Sequence, residues 1–366
     1  GGTGGTGGTG GVGGTGGVGG TGGVGGTGGV GGTGGVGGTG GVGGTGGAAP
    51  FVPPTPFDVP LSATGPDQLQ SVTAAADGDF LAAGFAAATL AGPRMVTVVK
   101  FSATGPDLAF GTNGVVTTPL TFVGGSGEIH ITTQSDGKIL VLATIPNAAK
   151  PTDRDVAVIR LLASGTVDTT FGTAGIATLN LNDAHDNGMM LVAFDSSRSI
   201  AVDGNGNIFI HAGSRGLGTA IAGGPRIDTD HAVVKLTPAG VVDTSFGTEG
   251  QFRLDIAEVN ASPRALKILA DGSLLVSGYA NTPDVGDTAQ PVLFKLTKDG
   301  DLDPAFATAG VFHQPILTLQ TEIYGFAIHG NNLVTAGYGR DMGTTNDYVS
   351  LRFDITTGVR DLTWGG

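Results

Sequence analysis

The chain has 366 residues, no cysteine, and a net charge of −13 from 18 basic and 31 acidic side chains. An acidic chain without a Lys/Arg cluster argues against nucleic acids and anionic membrane surfaces as partners. The lack of cysteine excludes disulfides and thiolate metal sites. No apolar run approaches the ~18 residues that a membrane-spanning helix needs, so we expect no membrane insertion.

The first 47 residues are an unbroken series of Gly-Gly-Thr and Gly-Gly-Val triplets that ends in Gly46-Gly47. A strict period of three matches the polyproline II family of helices, which have three residues per turn and no internal hydrogen bonds. All Thr and Val side chains then lie on one edge, and the bare glycine edges let other copies pair with the backbone. We therefore predict a polyglycine II stalk that assembles with copies of itself. The residues assigned to this assembly are Gly1, Gly2, Thr3, Val12, Thr15, Val18, Thr21, Val24, Thr27, Val30, Thr33, Val36, Thr39 and Val42.

Residues 48–56 contain four prolines and are predicted to form a stiff linker, because proline fixes φ. Residues 57–366 follow as five copies of one unit, ending near residues 111, 172, 247, 307 and 365. Each copy ends on an aromatic anchor followed by a small residue, most often Gly. The anchors are Phe110, Phe171, Phe246, Phe306 and Trp364. We predict that they pack between blades, and a sugar-stacking platform is the alternative.

Each unit also contains a turn, such as Asp136-Gly137, between alternating apolar segments, which is a strong β-hairpin signal. A further strand follows, with a basic residue in register in all five copies (Lys100, Arg160, Lys235, Lys295 and Arg352). These residues are predicted to cap strand ends or pair with repeat aspartates, or else to form a basic ring. With the strand after each anchor, the unit has four strands. The sequence predicts an all-β, five-bladed β-propeller, closed by a strand at 57–61.

The repeats resemble the delta-60 repeat family of long bacterial secreted and surface proteins. The resemblance covers about residues 57–366 and is carried by the Asp-Gly hairpin, the basic strand and the Phe-Gly-x-x-Gly anchor. It implies a propeller-like fold and brings no established catalytic residue. The glycine segment resembles the polyglycine II bundles of some antifreeze proteins and phage fibre tips.

Two clusters of polar residues are candidates for chemistry. Asp203, Asn205 and Asn207 alternate as oxygen ligands of Ca²⁺ do, but they stand where the other repeats have a hairpin turn, so an Asx turn is the favoured alternative. Asp183 and His185 belong to the densest His/Asp cluster, which is predicted to be a solvated loop. No nucleophile–base motif or phosphate-binding loop is present, so we expect no cofactor and no enzymatic activity.

Repeat three is lengthened by an insertion at about residues 214–230. Insertions that break the rule of a repeat commonly lie on a binding face. Arg215, Arg226, Asp228 and Asp230 are therefore the predicted binding loop, and a tolerated surface loop is the alternative.

These features together predict a structural subunit of an extracellular fibre, in which glycine segments bundle and propellers decorate the core. One alternative is a stalked adhesin whose propeller binds a glycan or a surface protein. The other is a propeller enzyme that acts on extracellular polysaccharide. The chain begins with Gly, so we expect either a bacterial surface or secreted protein whose signal peptide is already removed, or a fragment.

Overall fold

The computed structural model describes residues 59–365 apart from 125–126, 183–184, 187–190, 193–194, 225, 283–287 and 344, and gives only the backbone of 185–186 and 191–192. The chain divides into two units, Gly1–Phe57 and Asp58–Gly366, and all described residues belong to the second. The predicted glycine stalk and linker thus lie outside the described residues. Within the described part there are strands and turns, and no helix that could cross a membrane.

Strands make up five main antiparallel sheets that follow one another along the chain, plus one short two-stranded sheet. The first sheet contains β1 (Asp67–Ala74), β2 (Phe80–Ala86), β3 (Arg94–Ser102), β4 (Gly105–Pro106) and β5 (Val115–Phe122). The second contains β6 (His130–Thr133), β7 (Ile139–Pro146), β8 (Arg154–Leu161) and β9 (Ile176–Leu179). The short sheet pairs β10 (His185–Asp186) with β11 (Leu191–Val192).

The remaining sheets repeat the same plan. The third contains β12 (Ser196–Val202), β13 (Ile208–Arg215), β14 (Thr229–Leu236) and β15 (Gln251–Leu254). The fourth contains β16 (Ala261–Ile268), β17 (Leu274–Asn281), β18 (Ala289–Leu296) and β19 (Val311–His313). The fifth contains β20 (Gln320–His329), β21 (Asn332–Arg340), β22 (Asp347–Val349) and β23 (Arg352–Asp354). An all-β, propeller-like fold is therefore confirmed for the described residues.

Order within the sheets differs from the predicted unit in one respect. The strand after each anchor pairs with the basic strand before it, as β15 pairs with β14, so it completes the preceding sheet. The first strand of each main sheet is the one that leads into the hairpin, and these five are called the inner strands: β1, β6, β12, β16 and β20. Each inner strand contacts the next one along the chain.

The hydrophobic core lies between consecutive sheets. Side chains alternate across each strand, so Val141 packs toward the first sheet while its neighbour Leu140 packs toward the third. Four clusters result, joining sheets one and two, two and three, three and four, and four and five. Among the described residues no such cluster joins the fifth sheet to the first.

The strand predicted at 57–61 to close the ring is wrong for the residues that the structure describes. Val59, Pro60 and Leu61 belong to no strand. The chain then turns at Ser62, whose hydroxyl donates to the Ala87 carbonyl at 2.7 Å and accepts from the Gly65 N–H at 2.8 Å. These bonds hold the segment beside the first sheet.

The four phenylalanine anchors fasten each sheet to the next. Phe110, Phe171, Phe246 and Phe306 are at most 2% exposed. The residue after each anchor donates its N–H to a turn of the next repeat, as Gly172 does to the Ala239 carbonyl at 2.8 Å. Trp364 has no such turn over it among the described residues and is 40% exposed.

An ion pair recurs beside each anchor. Arg160 Nε lies 2.9 Å from Asp168 Oδ2, and the guanidinium stacks on the Phe171 ring at 4.6 Å. We call the five equivalents the repeat ion pairs: Lys100–Asp107, Arg160–Asp168, Lys235–Asp243, Lys295–Asp303 and Arg352–Asp361. The predicted pairing of the basic residues with repeat aspartates is thus confirmed.

Candidate ligand site on the inner strands

Four of the five inner strands contain a β-bulge, one extra residue that interrupts the pairing with the next strand. The bulged residues are Gln70, Arg198, Arg264 and Tyr324. Bulges turn a side chain out of the regular alternation and are common beside functional sites. The bulge on β20 needs glycine on the partner strand, because a Cβ at Gly337 would lie 1.8 Å from the Glu322 carbonyl oxygen.

The segment that leads into the second inner strand brings a carboxylate to the same region. Glu128 is fixed by β12: its N–H donates to the Ser197 carbonyl at 3.1 Å, and its carbonyl accepts the Ser197 hydroxyl at 2.6 Å. This close approach requires Gly127, since a Cβ there would lie 2.0 Å from Thr144 Oγ1. Glu128 therefore stands next to the bulge that presents Arg198.

Arg264 lies among aromatic rings. Its guanidinium carbon is 4.5 Å from the centre of the Tyr324 ring and 4.9 Å from that of Tyr279, and an Nη atom donates to the Tyr279 hydroxyl at 2.8 Å. Cation–π contacts of this kind hold a guanidinium in one plane and leave its edge free for hydrogen bonding.

On the side of the fifth sheet the cluster ends in a second carboxylate. The Tyr324 hydroxyl donates to Glu322 Oε1 at 3.2 Å, and the Tyr324 ring stacks on Tyr338 at 5.6 Å. Glu322 is buried, whereas Glu128 and Tyr324 are exposed. We define the inner-strand cluster as Glu128, Arg198, Arg264, Tyr279, Glu322, Tyr324 and Tyr338.

Electrostatics in the cluster are set by burial and by its two arginines. Burial, followed by the positive charge of Arg264, lowers the pKa of Arg198 to about 10. The pKa of Glu128 is lowered, chiefly by His130, whose Nε2 lies 3.4 Å from Glu128 Oε1. Burial raises the pKa of Tyr279 and Tyr324. The cluster thus combines an ionised carboxylate with neutral tyrosine hydroxyls and two cations, a combination typical of functional sites.

A buried histidine pair lies near the cluster. The rings of His211 and His231 stack with centres 5.3 Å apart, and His211 Nε2 is 3.0 Å from His231 Nδ1. Burial lowers the pKa of His211 well below its ordinary value and that of His231 to about 3. Both rings are therefore neutral at physiological pH.

The residues predicted as a weak Ca²⁺ site lie in a turn. Asp203 Oδ1 accepts the N–H groups of Asn205 and Asn207 at 2.8 and 2.9 Å, and Oδ2 accepts the Asn207 side-chain amide at 2.8 Å. The turn borders a cavity of about 700 Å³ between the third and fourth sheets, away from the inner-strand cluster. Both carboxylate oxygens are thus occupied by N–H donors.

The predicted binding loop forms an internal ion-pair network. Arg226 is 5% exposed and donates to Asp228 Oδ1 at 2.6 Å, to Asp230 at 3.0 Å and to Asp255 at 3.1 Å. These three carboxylates lie close enough together to hold a metal ion, but they surround a guanidinium. Arg215 donates to the Ile227 carbonyl. Asp183 lies outside the described residues, and of His185 only the strand is described.

Sequence reasoning missed the inner-strand cluster. The bulged residues all occupy one position of the repeat, seven residues before the Asp or Asn of the hairpin turn. At this position the five copies carry Gln70, Ile129, Arg198, Arg264 and Tyr324. The chemistry at this position does not repeat, although the flanking pattern does. A position that diverges inside a regular repeat is the signal that would have identified the site.

Two segments of the chain, residues 134–171 and 269–306, match a family described as a domain of unknown function (DUF5122) beta-propeller. Each match ends on an anchor, Phe171 or Phe306. Of the residues in the inner-strand cluster, Tyr279 alone falls within a matched segment. No curated protein matches the chain.

Solved structures with a similar arrangement include an endo-arabinase from Bacteroides thetaiotaomicron, 12% identical, with a TM-score of 0.40 over 81% of this chain and 96% of that one. A thermostable family-43 glycoside hydrolase is 13% identical, with a TM-score of 0.39 over 81% and 93%. A glucose dehydrogenase is 12% identical, with a TM-score of 0.46 over 81% and 85%.

The prediction that the protein is not an enzyme is corrected: several of the structures with a similar arrangement are of enzymes. The absence of a local sequence motif is therefore no ground for excluding an enzymatic activity. A propeller builds its sites from residues on separate repeats, which a local motif does not show. At these identities the likeness concerns the fold and assigns no reaction or substrate.

Proposed function

We propose that the protein is a propeller that acts on an extracellular polysaccharide at its inner-strand cluster. In this proposal the five sheets are the blades, and the inner strands line the ligand site. The observation that carries it is a series of contacts: the charges of Arg198 and Arg264 act on Glu128, Arg264 stacks on Tyr324, and Tyr324 donates to Glu322. Glu128 and Glu322 are two of the four glutamates in the chain.

The cluster offers the contacts that a sugar needs. Saccharides are held by convergent hydrogen-bond donors and acceptors in a partly apolar depression. Tyr279 and Arg264 supply donors on a rigid aromatic frame that includes the Tyr324 ring, and Glu128 supplies an acceptor at the exposed side. The side chains of Arg198 and Glu322 are buried.

Its two carboxylates suit cleavage of a glycosidic bond. Most glycoside hydrolases use a pair of carboxyl groups, one as base or nucleophile and one as proton donor. Glu128, with a lowered pKa and an exposed side chain, fits the ionised role, and Glu322 is the partner. The reaction consumes one water, whose hydroxyl joins the anomeric carbon while a proton goes to the oxygen of the released sugar.

Release of reducing ends from a panel of neutral and acidic polysaccharides tests this proposal. We expect turnover by the unaltered protein and a loss of at least about 100-fold in Glu128→Gln, because removing a catalytic carboxylate typically costs that much. Glu249→Gln is the matched control, since Glu249 is exposed in a turn away from the cluster. Equal activity in Glu128→Gln and Glu249→Gln would refute the proposal.

A binding head without turnover is the second candidate. It is favoured by the hydrogen bond from Tyr324, which already occupies Glu322 Oε1. Saccharide binding that persists in Glu128→Gln, with no reducing ends released by either protein, would select this alternative.

The bundling of glycine segments into a fibre stays a prediction, because residues 1–47 lie outside the described residues. It does not depend on the inner-strand cluster. Images of the purified protein would separate filaments from single particles.

A further inference from the structure

Buried cations in this protein are paired with carboxylates, with one exception. Among the described residues, five basic residues are at most 8% exposed: Lys100, Arg160, Arg198, Arg226 and Lys295. Four of them lie within 4 Å of an aspartate oxygen. Arg198 forms no salt bridge within 4 Å with a carboxylate of the described residues, and the negative charge that acts on it is that of Glu128.

The donors of Arg198 are also little used. An Nη atom donates to the Ser197 carbonyl at 3.3 Å, and Nε is a buried atom without a partner among the described residues. The Nε of Arg264, at the equivalent bulge of the next inner strand, is likewise buried without a partner. The positive charge of Arg264 acts against that of Arg198 and adds to the cost of burying both.

Burying an unpaired guanidinium costs free energy, and buried polar groups in proteins are almost always satisfied. Arg264 is half-buried and donates to the Pro263 carbonyl at 3.0 Å and to the Tyr279 hydroxyl at 2.8 Å, so the unsatisfied group is Arg198. A buried guanidinium with open donors, held by a bulge beside a second arginine, is explained when a ligand supplies an anion. The planar fork of a guanidinium matches a carboxylate, which accepts two parallel hydrogen bonds from it.

We propose that the sugar bound at the inner-strand cluster is a uronic acid residue, whose carboxylate is held by Arg198 and Arg264. This inference rests on the proposed function and adds the substrate class. Glu128, on the exposed side, then faces the rest of the sugar. A sulfated sugar offers a related anion, and the experiment separates the two.

Calorimetric titration with short oligomers of galacturonate, glucuronate and mannuronate, each compared with its methyl ester, provides the test. The ester keeps the sugar and removes the charge. We expect one acid form to bind and its ester to bind roughly tenfold to a hundredfold more weakly, as for the loss of hydrogen bonds to a charged group.

Variants locate the binding. Arg198→Gln and Arg264→Gln should each weaken binding of the acid form by a similar factor and leave the ester unaffected. Arg94→Gln is the control, because Arg94 is an exposed arginine that stacks on Phe85 in the first sheet. Circular dichroism establishes that each variant is folded.

Several outcomes overturn the inference: an ester that binds as well as its acid, no effect of Arg198→Gln, a preference for sulfated over carboxylated oligomers, or no binding by any uronate. If neutral sugars are cleaved in a Glu128-dependent way, the inference fails and the proposed function stands. If a uronate binds through both arginines and is never cleaved, the inference stands and the proposed hydrolysis fails.

Discussion

Arg160 and Arg198 have the same exposure, 7%, and opposite surroundings. Arg160 belongs to the repeat ion pairs: it contacts Asp168, donates to the Pro238 carbonyl at 2.6 Å and stacks on Phe171. Arg198 belongs to the inner-strand cluster and makes one long hydrogen bond to a neighbouring carbonyl. The donors of Arg160 are satisfied within the fold, whereas Arg198 Nε has no partner among the described residues.

The difference separates residues that hold the repeats together from residues that face a ligand. The repeat ion pairs recur in all five copies, because every copy must fix its basic strand to its anchor turn. The bulge position differs in every neighbouring pair of copies except Arg198 and Arg264, because it forms no part of that packing. Divergence within a repeat thus marks where function is free to change.

Breaking a buried repeat ion pair should give the largest effect. Arg160→Gln leaves the buried Asp168 carboxylate without its cation, and we expect a loss of about 3 kcal/mol in the free energy of unfolding. Urea denaturation measures it, with Arg160→Lys as the variant that keeps the charge. A loss below about 1 kcal/mol would show that the repeat ion pairs add little to stability.

Much of the outer architecture was predictable, because it rests on local patterns. The turns at Asp77-Gly78, Asp136-Gly137 and Asp271-Gly272 lie between paired strands, as expected. The pairing of each basic residue with an aspartate follows from their common register. Trp364, which takes the anchor position of the fifth repeat, is exposed because no later turn of the described residues covers it.

The inner-strand cluster was not predictable from such patterns. A bulge depends on the hydrogen-bond register between two strands. The residues of the cluster come from four repeats. The burial of the insertion was equally unpredictable from the sequence. Arg226 donates to Asp255, 29 residues away, so its burial depends on tertiary pairing. Strand 57–61 failed because alignment with the other repeats does not show that the chain turns at Ser62.

Acid should weaken the buried histidine pair and the repeat ion pairs in different pH ranges. The lowered pKa values of His211 and His231 mean that the unfolded chain binds more protons below about 6.5, so their contribution is full above that pH and is lost as pH falls toward about 3. Asp243 and Asp361, with pKa values of about 2, contribute fully above their unfolded value of 3.8 and lose that contribution through about 2.

His231→Gln isolates the first range. Between pH 6.5 and 4.5 the stability of the unaltered protein should fall relative to the variant by up to about 1.4 kcal/mol per pH unit. His329→Gln, at an exposed histidine, is the matched control substitution. Parallel curves for the unaltered protein and His231→Gln would contradict the neutral, buried state of the pair.

Among the repeat ion pairs, the smallest effect is expected at the exposed end of the repeat series. The side chains of Arg352 and Asp361 are 30% and 27% exposed, so water solvates whichever partner remains. Arg352→Gln should cost about 0.5–1 kcal/mol in urea denaturation, partly through lost stacking on Trp364. A cost equal to that of Arg160→Gln would show that burial does not set the strength of these pairs.

Unfolding of Arg198→Gln in urea, without ligand, tests most directly the claim that Arg198 is a buried charge kept for a ligand. Because the change removes an unpaired buried cation, we predict that the free energy of unfolding stays within about 0.5 kcal/mol of the original or rises by about 1 kcal/mol. A loss of about 3 kcal/mol, equal to that expected for Arg160→Gln, would show that Arg198 has a structural partner and would contradict the account.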